Sequence, residues 1–212
     1  MQFLEKYFPA LTPEQRTRFE ALPGLYSEWN TKVNLVSRQD IENLELRHVL
    51  HSLAIAKAFA FKSGAKVLDL GTGGGFPGIP LAILFPEVQF TLIDGTGKKI
   101  AVVQEVASAL GLTNTEALHV RAEEMKIRAA FDFVVTRAVA PLDKLLAWGQ
   151  PLLSKKHQHA YPNGIVALKG GDLREEVSAL PGRAKNYLEH FPVQDFFPEP
   201  WFEEKWVVYM QG

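Results

Sequence analysis

The chain has 212 residues, enough for one α/β domain with a modest extension. Its formal net charge is −1 and its composition is ordinary for a globular protein, so no global basic field advertises nucleic acid. It has no cysteine, which excludes disulfides, iron–sulfur radical chemistry and the cysteine nucleophile common in C5 methylation of pyrimidines. With no secretory signal and no uninterrupted apolar run long enough to span a bilayer, these features fit a cytoplasmic protein without a membrane partner.

Thr12-Pro13-Glu14-Gln15 reads as a helix start, with Pro at the first helical position and Gln three residues after the cap. Leu22, Tyr26, Trp29 and Val33 share one helical face, and Pro23-Gly24 predicts a break between two helices. Asp40 can cap a third helix that continues through Ile41, Leu44, His48 and Ser52 to Phe61. Residues 1–62 are therefore expected to form a helical extension packed on the domain that follows. From Lys66 the pattern becomes strand–helix–strand, with strands expected at Lys66–Leu70, Gln89–Ile93, Ala117–Val120, Phe131–Thr136 and Ile165–Leu168. Helices are expected at Pro77–Phe85, Lys98–Leu110, Leu142–Leu153 and Leu173–Leu180, and two last strands at Tyr187–Phe191 and Trp206–Met210. That alternation predicts, over residues 63–212, a mostly parallel seven-stranded sheet covered on both faces.

The first strand ends in Asp69-Leu70-Gly71-Thr72-Gly73-Gly74-Gly75-Phe76-Pro77-Gly78. Strand, glycine loop and helix start together make a site for a nucleotide-like ligand. The sixth position of a dinucleotide-binding turn is glycine, and here it is Phe76, which argues against a nicotinamide enzyme. Asp69-x-Gly71-x-Gly73-x-Gly75 instead resembles motif I of the class I S-adenosylmethionine-dependent methyltransferases, which implies a Rossmann-like fold of that class. Asp94 directly follows the second strand; it can accept hydrogen bonds from both ribose hydroxyls or cap the next helix, and the intervening Gly95-Thr96-Gly97 favours the ribose. Glu123, after the third strand, either orients an adenine amino group or sits in a solvated helix start. Arg137 ends a buried strand, so it pairs with an acid or meets a ligand. Thr136-Arg137-Ala138-Val139-Ala140-Pro141 lacks the Asn/Asp-Pro-Pro-aromatic element frequent in amino-group methylation. Lys169, after the fifth strand, is either a solvated strand end or a contact for an anionic or carbonyl-bearing substrate. Lys155, Lys156, His157 and His159 beside Tyr161 form a basic loop that is either solvated or a local RNA contact. His48 and His51 have no further ligands at metal spacing, so no metal is assigned.

The stretch Asp69–Ile83, with Trp29-Asn30, Asn34-Leu35, Arg38, His48-x-x-x-Ser52-Leu53, Arg121-Ala122-Glu123, Thr136-Arg137-Ala138 and Ala167-Leu168-Lys169-Gly170, strongly resembles the RsmG (GidB) family. These are bacterial 16S ribosomal RNA methyltransferases that modify guanine N7 in the decoding region. The resemblance implies S-adenosyl-L-methionine as cofactor, held at Gly71, Gly73, Gly75, Phe76, Asp94, Gly95, Thr96, Ala122, Glu123 and Arg137. It implies 16S rRNA, within a small-subunit particle, as partner of a monomeric enzyme. Arg38, His48, Lys155 and Lys156 are RNA-binding candidates, while Arg137 and Lys169 are candidates for orienting the base. The family usually carries Asp where this chain has His51. Guanine N7 has a lone pair and no proton, so neither a general base nor a nucleophile is assigned.

Overall fold

The computed structural model describes residues 1–212, except for the side chains of Arg38 and Gln39. The strands are β1 (Lys66–Leu70), β2 (Gln89–Asp94), β3 (Thr115–His119), β4 (Phe133–Arg137), β5 (Gly164–Gly170), β6 (Leu188–Pro192) and β7 (Lys205–Gln211). They form one seven-stranded sheet in the order β3-β2-β1-β4-β5-β7-β6, parallel except where β7 runs antiparallel to both β5 and β6. The chain winds outward in both directions from β1 and β4, whose register sets Leu70 opposite Thr136. A ligand crevice belongs at the carboxyl ends of such strands, where the order reverses.

Alternate strand residues feed two cores. Val67, Phe90, Leu92, Phe133, Val135, Val166, Val207 and Tyr209 face one layer of helices. That layer holds α1 (Gln2–Tyr7), α2 (Pro13–Asn30), α3 (Arg38–Ile41), a π-helical turn (Glu45–Leu50), α4 (His51–Ala58), α5 (Gly78–Leu84) and α6 (Gly97–Ala109). Leu68, Leu70, Ile93, Val134, Ile165, Ala167, Val208 and Met210 face α7 (Leu142–Gly149), α8 (Arg174–Ala179) and α9 (Gly182–Asn186). Period-two burial on both faces is what a central, helix-covered sheet requires.

The amino-terminal helices share the first core rather than forming a separate one. Gln15 Nε2 donates to the carbonyls of Ile83 and Leu84 at 3.1 and 3.0 Å, closing the carboxyl end of α5. Arg18 does the same for Leu110 and Gly111, at the end of α6. The expected break at Pro23-Gly24 does not occur, and α2 runs unbroken through both residues. Phe19, Leu22 and Tyr26 are wholly buried on one face either side of Pro23, so packing holds the helix across the hydrogen bond that proline forfeits. Ser37, not Asp40, caps α3: its Oγ accepts from Asp40 N at 3.1 Å and donates to Asp40 Oδ2. Pro77 stands just before α5 rather than at its first position, after a cis Phe76–Pro77 peptide. The helix after β4 ends at Gly149 and continues only as a 3₁₀ turn to Leu152, because Pro151 cannot donate into an α-helical ladder.

Candidate active site

Two openings lie side by side along the carboxyl ends of the strands. The first, about 290 Å³, is lined by Leu70, Gly71, Ile93, Asp94, Gly95, Thr96, Arg121, Ala122, Glu123 and Val139. The second, about 420 Å³, is lined by Asp40, Arg47, His48, His51, Arg137, Lys169, Gly170, Trp201 and Lys205. The sheet order places β1, β2 and β3 under the first and β4, β5 and β7 under the second.

Asp94 braces the rim of the first opening. Its Oδ2 accepts from Gly73 N at 3.0 Å and its Oδ1 from Thr96 N at 2.8 Å. Each carboxylate oxygen keeps an acceptor position beyond those bonds. Gly73 has φ +58° and nothing within 4 Å of where a Cβ would stand, so its backbone faces open space. Gly71, at φ +69°, would set a Cβ 2.6 Å from Val139 Cγ2. Beneath the loop, fully buried Asp69 accepts from Thr72 Oγ1 at 2.6 Å and Gly78 N at 2.8 Å, while its Oδ1 has no partner. Burial outweighs those bonds and raises its pKa to about 7.

The α2 helix reaches this loop directly. Tyr26 Oη donates to the Gly74 carbonyl at 2.6 Å inside the core, and its ring lies 4.8 Å from Phe76. Phe76 is also 5.0 Å from the His48 ring, and the Arg137 guanidinium covers its face at 5.2 Å. The phenyl ring is thus buried between α2, the π-helical turn and β4, not exposed in the first opening.

Arg137 ends β4 and lines the second opening. Its Nη2 donates to His48 Nδ1 at 2.8 Å and its Nη1 to the Arg47 carbonyl at 3.4 Å. Since arginine only donates, His48 accepts at Nδ1 and carries its proton at Nε2, which lies 4.0 Å from Asp40 Oδ2. Burial, and then the Arg137 charge, push the His48 pKa down to about 3, so the ring is neutral. Burial lowers Arg137 only to about 10, so its charge persists at neutral pH.

The sequence-predicted residues divide as follows. Gly71, Asp94, Gly95, Thr96, Ala122 and Glu123 meet at the first opening, with Gly73 bonded to Asp94 beside it. Gly75, at φ +97°, points toward Ile79 and Tyr26 and shapes the loop from below. Arg137, His48 and Lys169 meet at the second opening. The Lys169 ammonium is already held by Glu176 at 2.8 Å and the Ala140 carbonyl at 3.1 Å. Lys155 and Lys156 are exposed, but their loop lies at the amino ends of the strands, away from both openings. There His159 abuts Phe133 at 5.0 Å and Asp132 at 3.6 Å, and His157 Nδ1 accepts from Asn163 N at 2.9 Å. The Arg38 side chain lies outside the described residues. Sequence reasoning missed Arg47, Trp201 and Lys205, which only the π-helical turn and the antiparallel β7 bring to the crevice. No group of three or more metal-binding side chains occurs among the described residues, and no helix there is long and apolar enough to cross a membrane.

Comparison with known proteins agrees with this geometry. Solved structures with the same fold include a SAM-dependent methyltransferase from Aquifex aeolicus (TM-score 0.53, 17% identity, covering 82% of this chain and 98% of that one). Another is the fibrillarin/Nop5p complex (TM-score 0.55, 14% identity, covering 78% and 81%). These likenesses establish the class I methyltransferase fold. Among curated relatives, the ribosomal RNA small subunit methyltransferase G of Bacteroides thetaiotaomicron is 54% identical over the whole of both chains. That of Porphyromonas gingivalis is 51% identical over 99% of this chain and 92% of its own. The family model for rRNA small subunit methyltransferase G (GidB) matches residues 15–193, and the chain belongs to that family.

Proposed function

We propose that this protein uses S-adenosylmethionine to methylate N7 of a guanine in the decoding region of 16S rRNA, acting as a cytoplasmic monomer on a small-subunit particle. Residues 1–62 serve as a helical cap on the methyltransferase unit of residues 63–212. The observation that carries this reading is the pair of adjoining openings: one braced by Asp94 and the open backbone of Gly73, the other lined by cations. Bound S-adenosylmethionine supplies a methyl group activated by a sulfonium sulfur. The free acceptor positions of Asp94 suit two vicinal ribose hydroxyls, the Gly73 backbone admits close approach, and unpartnered Asp69 Oδ1 lies beneath the loop. Ala122 and Glu123 line the side of the opening where an adenine belongs.

In the second opening, neutral His48 is too weak a base to take a proton at physiological pH, and Asp40 is paired with Arg47 at 2.9 Å. Guanine N7 needs no base, since its lone pair is free, so the contribution of these residues is position. A donor should reach O6 and leave N7 open. Lys169 is committed to Glu176, so Arg137, anchored on Phe76 and His48, is the better fit for that donor. The base must leave its stack to enter. Replacing the target guanine by 7-deazaguanine removes the accepting lone pair and keeps the pairing edge. Binding should persist while methyl transfer vanishes, and methylation of that analogue would overturn N7 as the acceptor.

A further inference from the structure

His51 begins α4, is 6% exposed and lines the second opening. Its ring stands edge-on to Trp201 at 5.3 Å, and its Nε2 has no hydrogen-bond partner. Among the described residues five buried side-chain nitrogen or oxygen atoms lack partners, and two of them, Arg47 Nε and His51 Nε2, belong to this one opening. A buried polar atom without a partner costs stability unless something that binds there completes it.

The side of the opening on which His51 lies narrows what that is. Along the sheet, Gly71 ends β1 beside the first opening, Arg137 ends β4, Lys169 and Gly170 end β5, and Lys205 begins β7. His51, beside Trp201 and Phe202 in the loop leading to β7, stands at the far end of that row. Neighbouring strands are about 4.8 Å apart, the scale of a purine ring. A guanine with N7 turned toward the first opening therefore turns its Watson–Crick edge, N1–H and the 2-amino group, toward β7. Burial first, and then the charges of Arg137 and Lys205 with a smaller contribution from His48, hold the His51 pKa well below its ordinary value, so the ring is uncharged. A neutral imidazole has one lone-pair nitrogen, and the Arg137 and Lys205 charges favour a lone pair over an N–H at the orphaned Nε2.

We infer that His51 Nε2 accepts a hydrogen bond from the Watson–Crick edge of the target guanine, so that His51 is a specificity-determining residue of the second opening. This rests on the guanine-N7 reading above. Adenine offers no N1–H and no 2-amino group, so the contact selects guanine.

The test measures single-turnover methylation of reconstituted small-subunit particles carrying guanosine, inosine or 2-aminopurine riboside at the target. Inosine lacks the 2-amino group; 2-aminopurine lacks N1–H and also O6, so part of its penalty belongs to the Arg137 contact and not to His51. The native enzyme should methylate at least one analogue about ten-fold more slowly than guanosine, as expected for one lost hydrogen bond at a buried site. In His51→Phe, which keeps a ring and deletes its nitrogens, guanosine should slow by a similar factor and discrimination against at least one analogue should shrink by that factor, the O6 penalty on 2-aminopurine riboside remaining. His51→Asp keeps an acceptor and should retain the discrimination. Unchanged cofactor affinity by calorimetry shows that a variant is folded; a merely structural role would slow all substrates alike. Equal rates on all three substrates with the native enzyme, or full discrimination in a cofactor-binding His51→Phe, would overturn the inference. Absence of N7 methylation on guanosine itself would instead overturn the reaction assigned above.

Discussion

Tyr26→Phe tests whether the amino-terminal helices hold the cofactor loop. The hydroxyl donates to Gly74 O at 2.6 Å, and both groups are buried. Phenylalanine fills the same space, so no large cavity forms, and the loss is the carbonyl left unpaired in the core. Such an orphan costs about 1–3 kcal/mol. In a chain of this size each kcal/mol lowers the melting temperature by about 2–4 °C, so a fall of several degrees is expected. The hydroxyl also lies 3.0 Å from where a Cβ on Gly75 would stand, so its loss loosens both Gly74 and Gly75. Cofactor affinity should therefore fall as well, although Tyr26 does not line the first opening. Urea unfolding and calorimetry on one preparation measure both effects. Unaltered stability would refute the assigned hydrogen bond. Lowered stability with unaltered affinity would show that α2 supports the fold but does not set the loop.

Asp94→Ala removes the bracing of Gly73 and Thr96 together with the proposed ribose contact; calorimetry should show cofactor affinity down by about 1–3 kcal/mol, and undiminished binding would remove Asp94 from the site. Asp69 gives a pH test: its folded pKa of about 7 lies above its unfolded value, so its protonated form stabilises the fold below about pH 4, and that contribution is lost as pH rises toward 7. Urea midpoints at pH 5 and pH 8 should fall more steeply in the native protein than in Asp69→Asn, by at most about 1.4 kcal/mol per pH unit, and parallel profiles would refute the buried carboxylic acid. The Lys155→Ala/Lys156→Ala double variant should keep kcat/KM on small-subunit particles within about two-fold, while Lys205→Ala should lower it several-fold; the opposite ranking would show that RNA is read at the amino ends of the strands.

The strand–loop–helix at Asp69–Gly78 was legible in the sequence because its constraints are local. Gly71, Gly73 and Gly75 all adopt positive φ, and a Cβ on Gly78 would stand 2.6 Å from Asp69 Oδ2. The sheet was legible for the same reason, since period-two burial and helix punctuation are nearest-neighbour effects. Pro23 misled because proline's local cost was outweighed by Phe19, Leu22 and Tyr26 packing into the core beside α5 and the glycine loop, which are distant in sequence. The basic loop stayed open between a solvated surface and an RNA contact because charge in a sequence carries no address: only the fold shows that Lys155 and Lys156 lie at the end opposite the crevice. Lys205 was invisible for a topological reason. It reaches the crevice because β7 is antiparallel to β5, which sets Lys205 opposite Gly170.

The distribution of charge explains how a chain of net charge −1 can present a cationic opening to RNA without a basic surface. Arg47, Arg137, Lys169 and Lys205 all line the second opening. Asp40 neutralises Arg47 at 2.9 Å and Glu176 neutralises Lys169 at 2.8 Å. Among the described residues Arg137 bonds to neutral groups, His48 and the Arg47 carbonyl, and Lys205 lies 5.1 Å over the Trp201 ring. The opening therefore acts as about two positive charges rather than four, each worth a salt-dependence slope of about −0.7 on a single strand. So small a phosphate term cannot gather loose RNA. What remains, on the function proposed above, is a base held among Trp201, His51 and Arg137, which favours a target whose fold already presents the guanine.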